Sequence, residues 1–169
     1  MNTGITLIVM RHAKSSWLTG CADIDRPLCE RGLRDALAAG AVLAEFAIDQ
    51  VWCSSALRAQ QTWEQACLGG ASAERTLVDK SLYDTWADEL ITDLATLDEE
   101  GTVLIVGHQP TLGDLVTTLA KPSPLRAQAA THYPTAGIAV LRHPGPWETL
   151  GPGSATLERF EAPRDPDRR

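Results

Sequence analysis

Short apolar runs recur along the chain, and most of them stop at a polar or charged residue. The first, Ile5 to Met10, is rich in Ile, Leu and Val and does not alternate. That is the pattern of a strand buried on both faces. It ends abruptly at Arg11-His12. Val51-Trp52-Cys53 repeats the pattern and ends in Ser54-Ser55; Thr102 to Val106 repeats it again and ends in Gly107-His108. Thr76 to Val78 and Gly137 to Leu141 also read as strands, and Trp147 to Leu150 and Thr156 to Phe160 as short late ones, the last at an edge.

Helical spacing fills the intervals. Glu30 to Phe46 carries Leu33, Ala36, Leu37, Ala41 and Leu43 at approximately 3.6-residue intervals, with Gly40 a weak point. Ala56 to Leu68 follows, with Ser55 as its N-cap and Gly69-Gly70 as its stop. Ala87 to Leu97 places Leu90, Ile91, Leu94 and Leu97 on one face. Thr111 to Ala120 starts just after Pro110. Ser15 to Cys29 has no period and reads as a loop, as does Lys121 to Pro134 with its three prolines. This alternation of strand and helix predicts one three-layer α/β/α domain with a mostly parallel sheet. It spans residues 1–162, and residues 163–169 form a polar, frayed tail.

Composition changes this picture little. Hydrophobic residues make up 44% and charged residues 22% of the 169 residues, as in ordinary globular chains. The formal net charge of -7 argues against nucleic acid as a partner. No apolar stretch approaches a membrane span and no leader pattern opens the chain, so a soluble cytoplasmic protein is expected, taken as a monomer. The four cysteines, Cys21, Cys29, Cys53 and Cys67, form no CxxC pair and read as reduced thiols rather than a zinc site.

The chemistry lies at the strand ends. In a parallel sheet the C-terminal ends share one edge, where open α/β folds bind ligands. Arg11-His12, Ser54-Ser55 with Arg58 one turn later, and Gly107-His108 would then converge. Two arginines can neutralise and orient a phosphoryl group. A neutral histidine between them can attack phosphorus, and a second can donate to its oxygens. No metal or other cofactor is required. A zinc hydrolase using His12 and His108 would need further ligands that no motif supplies.

At this point the chain resembles a known family. Leu7-Ile8-Val9-Met10-Arg11-His12-Ala13-Lys14 resembles the signature of the histidine phosphatase, or phosphoglycerate mutase-like, superfamily, with Ala13 where Gly is usual. Asp25 to Gly32, Ser54 to Thr62 and Val106 to Pro110 resemble its first-helix, second-arginine and second-histidine motifs in order. Tyr133 to Gly137 is similar to a late segment of the SixA-like phosphohistidine phosphatase branch, to which Ala13 and Lys14-Ser15-Ser16-Trp17 also point. The resemblance implies a phosphoglycerate mutase-like fold. It implies that His12 takes the phosphoryl group and that Arg11 and Arg58 bind its oxygens. His108 would stabilise the transferring charge, and water would release phosphate without a metal.

Two departures refine this. Leu18 stands where phosphoglycerate mutases have an asparagine, which favours phosphatase over mutase. Leu82-Tyr83-Asp84 offers a shorter Asp where many relatives place a general-acid Glu, so Asp84 is the candidate proton donor. A phosphohistidine imidazole leaves more readily than an alkoxide, so a weak acid suits phosphoramidates or aryl phosphates, and the partner is a phosphorylated protein or a small phosphorylated molecule. A small-metabolite phosphomonoesterase and a phosphoryl-binding protein without turnover are the alternatives. Lys14 reads as solvated and His132 as a loop residue. Trp17 and Trp86 read as core residues, with an apolar rim at the site as the alternative.

Overall fold

The computed structural model describes residues 4–18 and 20–165. Six strands form one sheet: β1 (Ile5–Arg11), β2 (Ile48–Ser54), β3 (Ala73–Asp79), β4 (Thr102–Gly107), β5 (Ile138–His143) and β6 (Thr156–Glu161). Their order across the sheet is β3-β2-β4-β1-β5-β6. β1 to β4 run parallel, while β5 is antiparallel to β1 and β6 to β5.

β1 lies between β4 and β5, with helices over both faces. Its apolar run is continuous for that reason. Ile5, Leu7 and Val9 enter one core, while Ile8 and Met10 enter the other. Helices α1 (Glu30–Leu43) and α2 (Leu57–Leu68) cover the second core. Helices α3 (Ala87–Leu94), α4 (Thr111–Leu119) and α5 (Pro124–Thr131) cover the first. The result is a three-layer α/β/α domain whose parallel strands end along one edge.

Close approaches at glycines seat α1 and α2. A Cβ at Gly32 would lie 2.0 Å from the carbonyl oxygen of Lys14, so only glycine lets the first turn of α1 rest on the loop after β1. A Cβ at Gly40 would lie 2.2 Å from the Ala66 carbonyl oxygen, and one at Gly69 2.1 Å from that of Leu37. Gly40 weakens α1 as an isolated helix, yet it is what admits α2 at this distance.

Several boundaries differ from expectation. Within 121–134 lies α5: the Ser123 hydroxyl accepts from Arg126 N–H and Pro124 occupies the first turn, so the proline there starts a helix. Residues Trp147–Thr149 form a 3-10 turn rather than a strand. Trp147 is buried there and donates from Nε1 to the Glu99 carbonyl at 3.0 Å. The N-cap of α2 is Ala56, not Ser55. The first and third helices stop earlier than expected, at Leu43 and Leu94. At the C-terminal end, Asp165 reaches back to α1, with its Oδ2 3.2 Å from Arg34 Nε. Residues 166–169 of the expected tail lie outside the described residues.

Candidate active site

His12 follows directly from β1. Its N–H donates to the Gly107 carbonyl at the end of β4, and its carbonyl accepts from Ala136 N–H ahead of β5. The signature loop is therefore pinned by both neighbouring strands. It is also pinned from α2: Ala13 N–H donates to Thr62 Oγ1 at 2.9 Å, while that hydroxyl donates to the Arg58 carbonyl at 2.7 Å. Thr62 and Ala13 are both fully buried, so this junction ties the nucleophile's loop to the first turn that carries Arg58.

The His12 ring is 8% exposed. Its Nδ1 lies 2.7 Å from the Ala13 carbonyl oxygen, which can only accept. The proton is thereby placed on Nδ1 and the lone pair on Nε2. Burial, and then the nearby His108, Arg58 and Arg11, push the pKa down to about 3. At neutral pH the ring is uncharged, in one tautomer, and chemically able to act as a nucleophile through Nε2.

The His108 ring centroid lies 5.2 Å from that of His12. Its Nε2 is 2.7 Å from Ser54 Oγ, which itself accepts from Ala56 N–H at 3.2 Å. When the Ser54 hydroxyl donates to His108 Nε2, the ring proton lies on Nδ1. Burial first, then Arg58, lowers the His108 pKa to about 4.

The two arginines sit in different settings. Arg11 Nη1 donates to the Tyr133 carbonyl at 2.8 Å, and Tyr133 is itself buried with its hydroxyl donating to the Val9 carbonyl at 2.7 Å. Burial alone lowers the Arg11 pKa. Arg58, 6% exposed, donates from Nη1 to the Asp23 carbonyl at 2.8 Å and from Nη2 to Asp23 Oδ2 at 3.0 Å. Around the two histidines, Arg11 Nε, Arg58 Nε and His108 Nδ1 are buried with no hydrogen-bond partner among the described residues, as is Ser55 Oγ just after β2. Unpaired buried donors are costly unless a ligand satisfies them.

Asp23 went unnoticed in the sequence, because its loop has neither period nor motif signal. It opens a 3-10 turn (Asp23–Asp25) and collects three donors. These are Tyr83 Oη at 2.5 Å, Arg26 Nε at 3.0 Å and Arg58 Nη2 at 3.0 Å. The Tyr83 hydroxyl, followed by Arg26 and Arg58, holds its carboxyl far below the usual carboxylate range. Tyr83 meets the His108 ring edge-on at 5.6 Å between centroids. Thus the Lys80–Tyr83 turn delivers Tyr83 to the site, while Asp84, just beyond it, is solvent-exposed. The structure therefore brings Arg11, His12, Arg58 and His108 together and leaves Asp84 at the surface beside them.

Trp17 and Trp86 are 77% and 69% exposed, so neither is a core residue. Trp17 stacks on Arg26, whose guanidinium carbon is 3.5 Å from the ring centroid. Leu18 is fully at the surface and Lys14 is exposed. His132 lines a cleft of about 440 Å³ between α4 and α5 that opens beside Arg11 and Asp114. Among the described residues, no group of three or more His, Cys, Asp or Glu side chains is placed to hold a metal ion. No described helix is long and apolar enough to cross a membrane.

Comparison with known proteins agrees with this geometry. An uncharacterised protein of Mycobacterium tuberculosis is 41% identical over 162 residues, covering 92% of this chain and all of the relative. A structure from Nakamurella multipartita assigned as a phosphohistidine phosphatase SixA is 32% identical, with a TM-score of 0.84, covering 95% of this chain and 96% of that one. A structure from Agrobacterium tumefaciens with the same assignment is 26% identical, with a TM-score of 0.79, covering 94% and 98%. The model of histidine phosphatase superfamily branch 1 matches residues 7–82, from β1 through α2 to Leu82. With the His12–His108 pair and both arginines gathered at one sheet edge, the chain belongs to the histidine phosphatase superfamily.

Proposed function

We propose that the protein hydrolyses phosphohistidine on a protein substrate through a phosphohistidine intermediate on His12. The observation that carries this reading is the trio of unpaired buried donors, Arg11 Nε, Arg58 Nε and His108 Nδ1, beside an uncharged histidine with a free Nε2. Three donors match the three equatorial oxygens of a transferring phosphoryl group.

In the first step His12 Nε2 attacks phosphorus. The bond from phosphorus to the substrate nitrogen breaks, and its electron pair stays on that nitrogen. A substrate ring protonated at its other nitrogen leaves as neutral imidazole. Arg11, Arg58 and His108 donate to the phosphoryl oxygens as charge shifts among them. In the second step water attacks phosphorus, the bond to Nε2 breaks, and its pair returns to Nε2. Inorganic phosphate departs, and the water proton passes to phosphate or solvent.

The proton inventory favours a nitrogen leaving group. Asp23 is ionised at neutral pH and has no proton to give. Tyr83 is held by Asp23, which raises its pKa. An alkoxide needs a proton as it leaves, whereas an imidazolium brings its own. The similarity to proteins assigned as phosphohistidine phosphatases supports the same substrate class. The cytoplasm is the proposed setting.

The test is to trap the intermediate. Wild-type protein treated with a labelled phosphohistidine peptide is expected to carry acid-labile, base-stable label that His12→Ala lacks. Turnover is expected to persist in the presence of a chelator. Binding of phosphate without label or turnover would instead mark a phosphoryl-binding protein. Equal kcat/KM on alkyl phosphates and phosphohistidine peptide would overturn the substrate assignment.

A further inference from the structure

We propose that Asp23 is a specificity-determining residue that favours phosphoryl donors whose leaving atom is a protonatable nitrogen and disfavours those whose leaving group gathers negative charge. This rests on the functional reading above and names what enforces its substrate class.

The position of Asp23 is fixed. Three donors from three separate segments, Arg26, Arg58 and Tyr83, converge on its carboxylate. Its side chain is nevertheless 48% exposed, whereas Arg26 and Arg58 are buried. Its charge reaches the reacting centre: Asp23 acts on His108 in the direction opposite to Arg58, Arg11 and Arg26. A cluster of three arginines with no carboxylate would accept any phosphomonoester, including those bearing further anionic groups. Asp23 places one negative charge at the entrance to that cluster.

The consequence follows from charge at the transition state. As a phosphohistidine is cleaved, its ring, protonated on the nitrogen that does not bear phosphorus, keeps part of its positive charge until the phosphorus–nitrogen bond is broken. A fixed carboxylate attracts that remaining charge, so the transition state lies lower relative to free enzyme and substrate, and kcat/KM rises. As a phosphomonoester is cleaved, negative charge grows on the leaving oxygen and the same carboxylate raises the barrier. A second carboxylate or phosphate on the substrate adds further repulsion. A full charge at this range, in a partly desolvated site, shifts such a balance by about tenfold or more. Arg58 keeps Nε for the phosphoryl group while its two terminal nitrogens hold Asp23, so selection and phosphoryl binding use different atoms of one side chain.

The experiment compares kcat/KM for a phosphohistidine peptide, phosphoimidazole, phenyl phosphate and 3-phosphoglycerate in wild type, Asp23→Asn, Asp23→Glu and Tyr83→Phe. For Asp23→Asn, the ratio of phosphoramidate to phosphomonoester activity is expected to fall by about tenfold, with 3-phosphoglycerate gaining most. Asp23→Glu, which keeps the charge, is expected to restore much of the ratio. Tyr83→Phe removes one donor but no charge, and is expected to leave the ratio within about twofold of wild type even where the rates change. A uniform loss on all substrates in Asp23→Asn, or a ratio that moves equally in Tyr83→Phe, would show that Asp23 only braces Arg58 and overturn the proposal. Should Asp23→Asn not fold, Asp23→Ser, which also removes the charge, takes its place and the same two outcomes decide it. A wild type that forms no label on His12 with any of these substrates overturns the functional reading itself, whereas a labelled wild type with an unmoved ratio overturns only the role of Asp23.

Discussion

The neutral state of His12 can be tested through stability alone. Burial and the neighbouring cations hold its pKa at about 3 in the folded protein, against an ordinary value of 6.5. The sign follows from proton counting. Below pH 6.5 the unfolded chain binds a proton at this residue and the folded protein does not, so stability falls as pH drops from 6.5 toward 3 and is level on either side. At pH 5 the unfolded state gains about 2 kcal/mol from this one protonation, while at pH 7 it gains about 0.2 kcal/mol. His12→Gln removes the titrating group but not His108, whose own low pKa adds a loss common to both proteins. Wild type is thus expected to lose about 2 kcal/mol more than His12→Gln between pH 7 and pH 5. Asp23 does not confuse the window. Its folded pKa is depressed, so its stabilisation is complete above the ordinary carboxylate pKa and is lost only at lower pH. The assay is urea unfolding of both proteins at the two pH values, in buffers without phosphate or sulfate, since an anion bound to the native state would add its own linkage. Equal losses in the two proteins, to within about 0.5 kcal/mol, would refute the claim that the fold keeps His12 uncharged.

Three further outcomes are expected. Arg58→Lys keeps a cation but cannot hold both Asp23 oxygens and a phosphoryl oxygen at once, so kcat/KM for the phosphohistidine peptide is expected to fall by about a hundredfold; steady-state kinetics checks this, and a fall under about threefold would contradict it. Thr62→Val preserves shape but strands the Ala13 N–H in a dry interior, which is expected to cost about 1–3 kcal/mol in urea unfolding. Gly32→Ala separates two effects by sign: helix propensity alone would stabilise by about 1 kcal/mol, whereas a Cβ 2.0 Å from the Lys14 oxygen is expected to destabilise by about 2–4 kcal/mol and to lower turnover.

What could be read in the sequence divides along physical lines. β1, β2 and β4 announced themselves because they are buried on both faces, and a continuous apolar run is the direct imprint of that burial. β3 lies at the sheet edge with every residue at least partly exposed, so only Thr76 to Val78 stood out from its seven residues. α5 was hidden because Pro122 and Pro124 read as loop residues, although Ser123-Pro124 is also a helix start. Arg11, His12 and His108 were legible because each adjoins the end of a buried strand, where position in the chain fixes position in space. Arg58 was legible through its distance of one turn from β2. Asp23 and Tyr83 have no such anchor. One comes from an irregular connection and the other from a 3-10 turn, and they meet 60 residues apart. Trp17 and Trp86 misled for the converse reason: hydrophobicity predicts burial only where a neighbouring element supplies the partner surface, and both lie on connections at the sheet edge.

The net charge of the chain and the charge of the site have opposite signs, and the fold accounts for the difference. A molecule of formal charge -7 would repel phosphorylated substrates if its charge were spread evenly. Arg11, Arg58 and Arg26 instead come to one place by three routes: the end of β1, the first turn of α2, and the loop that precedes α1. Their side chains are largely withdrawn from water, where the field of a cation is least screened. Fixed acceptors hold Nη1 of Arg11, through the Tyr133 carbonyl, and both terminal nitrogens of Arg58, through Asp23. The Nε atoms are left for the ligand. Those acceptors prevent the guanidinium groups from turning to satisfy each other's surroundings, so the donors stand ready before the phosphoryl group arrives and no reorganisation is required as charge develops. Burial first, and then the nearby His108, Arg58 and Arg11, keep His12 neutral. With the cations close to a buried imidazole, protonating His12 would add a further positive charge, so the lone pair stays on Nε2.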